Sequence, residues 1–207
     1  MYLCDLSIQE MFKSSPVVKN LLLFNITIFV IQIILKYSGY NLFQSLALFP
    51  THTGYFQTYQ LITHQFLHAG LFHLLFNMFA LATIAPIVEK EIGSRKFLVF
   101  YLLCGVGAAL IHLIGIKVNN PMVGASGALY GILLLFTITN PNEKLFLFFI
   151  PIGIKAKYLI PSLLIIEIYL ALSQNNDGIG HWAHIGGAIT GTTLYILNKG
   201  FRKETDK

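Results

Sequence analysis

Four side chains in this sequence could carry out hydrolysis together: Ser126, His184, His73 and Asn77. Ser126 stands in Gly124-Ala125-Ser126-Gly127, at the head of a long apolar run. A serine at a helix start has backbone N–H groups beside it that lack helical partners, and these can stabilise a developing oxyanion. Its hydroxyl needs a base, and an imidazole such as His184 has a suitable pKa. His73 and Asn77 are i and i+4, so a helix shows both on one face, where both could donate toward a substrate oxygen. Each residue also has a plainer reading. Small residues pack helices closely, a histidine near a helix end marks an interface, and polar pairs bond between helices.

The elements that must position these groups are membrane helices. The 207 residues are 55% hydrophobic and only 11% charged, with mean hydropathy +0.67. A soluble chain is about a quarter charged. A bilayer core ~30 Å thick asks for about 20 apolar residues per helix. Six segments answer, at about 17–36, 71–88, 97–116, 125–140, 156–172 and 181–197, with an outer loop at 37–69 and a shorter one at 173–180. The expected fold class is all-α, one polytopic six-helix membrane domain over residues 1–207. The run Leu145–Ile154 is short and carries Pro151 and Gly153, so it is expected to approach the fifth span along the interface. No internal repeat is visible, which weighs against a transporter.

Charge sets the expected topology. A net charge of +5 on a soluble protein would suggest nucleic acid. Here the basic residues lie between apolar spans, so no nucleic-acid partner is expected. Of the 14 Lys and Arg, only Lys36 and Lys117 fall on the side opposite the N-terminus. The positive-inside rule then places both termini in the cytoplasm. The second, fourth and sixth spans run inward, which brings His73, Asn77, Ser126 and His184 to one depth, within roughly two turns of the outer surface. Gly127 and Gly131 recur on the fourth span, and Ala183, Gly187 and Gly191 on the sixth. If these faces meet, His184 reaches Ser126. Asp177 falls in an outer loop. Glu167 lies within the fifth span, where it is expected to bond inside the bundle or be protonated. Neither is expected to orient His184, so the sequence predicts a Ser–His dyad.

Cys4 and Cys104 lie far apart and show no disulfide or metal spacing. Asp5, Glu10 and Lys13 precede the first apolar run and no small-residue cleavage site follows it, so no signal peptide is expected. His64, His68, His73, His181 and His184 gather toward the outer face. Without a nearby Cys or carboxylate they make a poor zinc set. No metal and no cofactor are expected. His112, deep in the third span, is expected to be a packing or interface residue.

At these residues the sequence resembles the rhomboid family of intramembrane serine proteases, over essentially the whole chain in the family's six-helix form. The segment His68-Ala69-Gly70-Leu71-Phe72-His73-Leu74-Leu75-Phe76-Asn77 is similar to the family's histidine and asparagine motif. Gly124-Ala125-Ser126-Gly127 matches its GxSG motif, and Ala183-His184-Ile185-Gly186-Gly187 with Gly191 its sixth-helix motif. The resemblance implies Ser126 as nucleophile and His184 as general base. It implies an oxyanion hole of His73, Asn77 and the Ser126 N–H, with Tyr130 packed against the histidine. Glu89 with Gly93 resembles a structural motif at the inner end of the second span. His64 and His68 match loop histidines with structural or water-holding roles. Residues 173–180 resemble a cap loop, and Asn175, Asn176, Gly178 and Gly180 suit mobility there.

One departure stands out. Tyr59-Gln60 occupies the place of the family's Trp-Arg pair in the first outer loop, which leaves that loop's internal bonding open. The implied partners are transmembrane protein substrates and the lipid bilayer. The implied setting is a prokaryotic plasma membrane with the active site toward the outer face. An alternative is a catalytically silent relative that binds transmembrane helices, although such relatives lack the catalytic pair and this chain keeps both residues.

Overall fold

A computed structural model of the chain describes residues 14–115, 120–146, 152–173, 177–197 and 201. Expectations resting on Cys4, Asp5, Glu10, Lys13, Lys117, Pro151, Asn175, Asn176, Lys199, Arg202, Lys203 and Lys207 lie outside those residues. Six long helices carry the architecture: α1 (Pro16–Tyr37), α2 (Leu71–Ile92), α3 (Ser94–Gly115), α4 (Ser126–Thr139), α5 (Ala156–Leu172) and α6 (His181–Leu197). The first three have 22 residues each and are long and apolar enough to cross a membrane. The others are shorter, at 14, 17 and 17 residues.

The protein is a mostly helical membrane bundle, of the all-α class expected. The run expected to approach α5 along the interface includes a small antiparallel strand pair, β1 (Lys144–Phe146) with β2 (Gly153–Lys155), in the register Lys144↔Lys155. The apolar core lies where α2, α3 and α4 meet, around Leu81, Val88, Phe97, Tyr101, Ile132 and Phe136. Large apolar side chains also cover the outside, among them Val30, Leu103, Ile165, Tyr169 and Ile189. A helix apolar on both its inner and outer faces belongs in lipid.

Helix ends are tied together by Glu89. Pro16 opens α1 with its φ already set for a helix. The backbone N–H groups of Val17 and Val18 then donate to the Glu89 carboxylate at 3.0 and 2.8 Å. The Ser94 hydroxyl donates to the same carboxylate at 2.6 Å. One buried acid on α2 thus satisfies the orphan donors that start α1 and holds the start of α3. Gly93, at φ 85°, makes the turn between α2 and α3.

The loop between α1 and α2 is packed rather than loose, and Gln60 explains why. Its side chain accepts from the N–H groups of Phe49 and Gln57, at 3.3 and 3.1 Å. It donates to the carbonyls of Ser45 and Tyr55, at 3.3 and 3.1 Å. This side chain, only 1% exposed, therefore supplies the internal bonding left open by the Tyr59-Gln60 departure. Gln60→Ala would orphan four backbone groups. At ~1 kcal/mol per bond the expected destabilisation is about 2–4 kcal/mol, or roughly 4–16 °C in the unfolding midpoint for a chain of this size. Thermal unfolding in detergent measures it, and a shift under about 2 °C would mean that water replaces the amide at no cost.

α6 is the central helix, running along both α3 and α4. Its contact with α4 is a backbone contact. A Cβ on Gly187 would overlap the Gly127 carbonyl, and a Cβ on Gly191 would lie 2.8 Å from Gly131 Cα. The glycine faces expected on the fourth and sixth spans do meet.

Candidate active site

The loop between α1 and α2 positions the segment that leads into α4. Leu48 and Met122 exchange backbone hydrogen bonds of 2.9 Å in both directions. The Gly124 N–H donates to the His64 carbonyl at 2.9 Å, and the His64 ring bonds the Gln60 carbonyl at 2.7 Å. Gly124 itself sits at φ 125°, a region L side chains rarely adopt. A Cβ there would stand 2.7 Å from His73 Cε1, so the glycine also gives the His73 ring its place. Ser126 is the first residue of α4, so its N–H has no partner within its own helix.

Ser126 Oγ and His184 Nε2 are 2.8 Å apart. The Tyr130 ring stacks on the His184 ring, with centroids 4.4 Å apart and planes 16° apart. On α2, His73 Nδ1 accepts the Ala69 N–H at 3.4 Å. That bond assigns the ring proton to Nε2, on the edge of the ring that faces Gly124. Asn77 Nδ2 donates to the His73 carbonyl at 2.8 Å, leaving the second amide hydrogen for another acceptor. Ser126, His184, His73, Asn77 and Tyr130 all line one cavity of about 890 Å³. His112, 5% exposed on α3, lines the cavity too.

The expectation that no carboxylate reaches His184 is overturned. Glu167 Oε2 lies 3.0 Å from His184 Nδ1, at ion-pairing distance, though the ring N–H is not aimed along a hydrogen-bond line. Oε1 of the same carboxylate accepts the Tyr130 hydroxyl at 2.7 Å. His181 Nδ1 meets Oε2 at 2.6 Å, and His181 Nε2 faces Asp177 Oδ2 at 3.2 Å. Asp177 lies in the loop ahead of α6, and its side chain faces His181. The reason given against a metal also fails, because Glu167, His181 and His184 bring ligand atoms within 4.8 Å of one another. Those atoms are already engaged with each other. Two signals pointed here: an ionisable residue inside a span, and histidines at i and i+3 on one helix.

His64 and His68 stand outside the spans, both 1% exposed. Burial lowers the His64 pKa to about 4. Burial, then repulsion from His73, lowers that of His68 to about 3. The unfolded chain binds these protons from 6.5 downward, while the folded chain does so only near the lower values. Stability is therefore full above 6.5 and is lost as the pH falls toward 4. The expected loss is about 1.4 kcal/mol per histidine per pH unit across that window. Unfolding midpoints from pH 8 to 4.5 check this, and His64→Asn should flatten the slope. A midpoint unchanged between pH 7 and 5 contradicts it.

A family model described as the Rhomboid domain matches residues 55–199, more than half of the chain. The rhomboid-family protein YdcA of Bacillus subtilis is 34% identical over 145 residues, covering 67% of this chain and 66% of that protein. RHOMBOID-like protein 2 of Arabidopsis thaliana is 35% identical over 139 residues, covering 67% and 41%. The rhomboid protease GluP of Bacillus subtilis is 34% identical over 134 residues, covering 64% and 24%. The chain spans less than two thirds of the length of each of these relatives. Taken with the apolar helices, the family match gives the chain its class: it is an integral membrane protein that belongs to the rhomboid family.

Proposed function

We propose that the protein is an intramembrane serine endopeptidase that cuts transmembrane segments of other membrane proteins. The observation that carries this reading is the 2.8 Å contact between Ser126 Oγ and His184 Nε2, facing a cavity shared with His73 and Asn77. The match to the Rhomboid domain supports it. Ser126 Oγ attacks the scissile carbonyl while its proton passes to His184 Nε2. The oxyanion is met by the Ser126 N–H, the His73 Nε2–H and the Asn77 amide. Collapse of the intermediate breaks the C–N bond, and His184 returns the proton to the leaving amine. Water then attacks the acyl-enzyme with His184 as base, releasing the acid and free Ser126.

In this reading all six helices cross the bilayer with both termini cytoplasmic and the site toward the outer face. The 14 residues of α4 rise roughly 21 Å, short of a ~30 Å core. In this reading Ser126, at the start of α4, sits below the outer surface and is reached by water through the cavity. A substrate helix must unwind there to present a carbonyl.

The test is cleavage of a single-pass transmembrane reporter in liposomes, together with labelling by a serine-directed fluorophosphonate. Cleavage by the parent, its loss in Ser126→Ala, and a label on Ser126 are the expected results. A folded parent that binds the reporter but neither cuts it nor takes the label would be a silent helix-binding relative instead. Cleavage by Ser126→Ala at the parent rate would sink the proposal.

A further inference from the structure

We infer that Glu167 is a positioning residue for His184, so that carboxylate, imidazole and serine hydroxyl form one line of three groups. The inference rests on the reading that Ser126 and His184 carry out hydrolysis. A carboxylate among membrane helices is costly unless donors surround it. Two bond Glu167, the Tyr130 hydroxyl on Oε1 at 2.7 Å and His181 on Oε2 at 2.6 Å, and His184 Nδ1 lies 3.0 Å from the same Oε2. The residue is 9% exposed and lies on α5, a helix that contributes no other group to this contact set.

The geometry restrains the His184 ring twice. Stacking on Tyr130, at 4.4 Å and 16°, sets the plane of the imidazole. The Glu167 contact at Nδ1 sets its rotation within that plane, and this leaves Nε2 pointing at Ser126 Oγ. A carboxylate facing Nδ1 also selects the tautomer. The proton stays on Nδ1, and the Nε2 lone pair is free to take the serine proton. When it does, the ring becomes a cation beside a carboxylate, and no proton has to move onto Glu167. The 3.0 Å contact is off-line as it stands, as such bonds often are before substrate binds. His181 fastens the carboxylate from the other side and is itself faced by Asp177 at 3.2 Å. Tyr130 likewise serves two partners, stacking on His184 and bonding Glu167. The carboxylate is thus held by its own partners, independently of His184.

Glu167→Gln keeps the size and the bond to Tyr130 but offers a neutral amide to Nδ1. Its kcat is expected to fall by about 10²–10⁴-fold, with KM within about threefold of the parent. Tyr130→Phe combined with Glu167→Gln should be no worse than Glu167→Gln alone, because both act through one contact. The tautomer gives a second measurement that needs no variant. In ¹⁵N-histidine-labelled parent protein, His184 should carry its proton on Nδ1. A proton found on Nε2 overturns the inference even if Glu167→Gln fails to fold. So does a Glu167→Gln kcat within about twofold of the parent, or activity that chelators abolish, which would make Glu167 a metal ligand. The control is Ser126→Ala. If that variant is inactive while Glu167→Gln is fully active, only the positioning role falls. If Ser126→Ala cleaves, the protease reading itself falls.

Discussion

Ser126→Ala and His184→Ala are each expected to lower kcat by about 10⁶-fold, and the double variant to be no worse than either alone. The reason is that the two residues act as one unit. Without His184 the Ser126 hydroxyl has no acceptor for its proton, and without Ser126 the imidazole has nothing to activate. Their 2.8 Å contact is the direct route between them. What remains is catalysis by the oxyanion donors and by binding, on the order of 10³–10⁴-fold over water. Ser126→Ala removes one hydroxyl and should leave the unfolding midpoint within a few degrees of the parent, whereas His184→Ala also removes the ring stacked on Tyr130 and is expected to lower it further. Single-turnover cleavage of the reporter in liposomes measures all three variants. Multiplicative losses in the double variant would mean that the residues act independently. A single variant retaining a tenth of the parent rate would mean that another group supplies the nucleophile or the base.

How far the site could be read in advance depended on whether position along a helix or rotation about it was needed. Position along the chain was legible. Apolar runs bounded by polar residues are what a bilayer demands, and the structure has helices over Ala156–Leu172 and His181–Leu197, where such runs lie. The meeting of α4 and α6 was legible too, because glycines spaced by four mark a face whatever surrounds it. Glu167 was not. A helix apolar on every side has no moment to phase it, so nothing in α5 says which way residue 167 points. Its partners sit on two other helices, at Tyr130, His181 and His184. Gln60 was missed for a related reason. Whether a loop glutamine is solvated or buried with four backbone partners depends on how the chain around it folds back, and neither its type nor its neighbours reveals that. The pairing of Lys144–Phe146 with Gly153–Lys155 needed a register, which three-residue strands do not announce.

Gly187→Ala is expected to cost at least about 10²-fold in kcat/KM although Gly187 touches neither the serine nor the substrate. The added methyl would fall on the carbonyl oxygen of Gly127, which is backbone and cannot rotate away. The helices must therefore separate or slide. Gly127 directly follows Ser126, and Gly187 lies three residues beyond His184, within a helical turn. A shift that relieves the clash thus moves the two reacting groups apart. Their 2.8 Å contact tolerates little of it, since a misplacement of about 1 Å is worth roughly 10² in rate. Overpacking of this kind also costs about 1–3 kcal/mol of stability, so a lower unfolding midpoint is expected alongside the kinetic loss. Ile189→Ala is the matched control, on the same helix but 51% exposed, and should cleave at close to the parent rate. Fluorophosphonate labelling separates the two effects. If Gly187→Ala folds but labels Ser126 slowly, the defect is in alignment. If it labels and cleaves like the parent, the close approach of α4 and α6 is not what holds His184 on Ser126, and the burden passes to Tyr130 and Glu167.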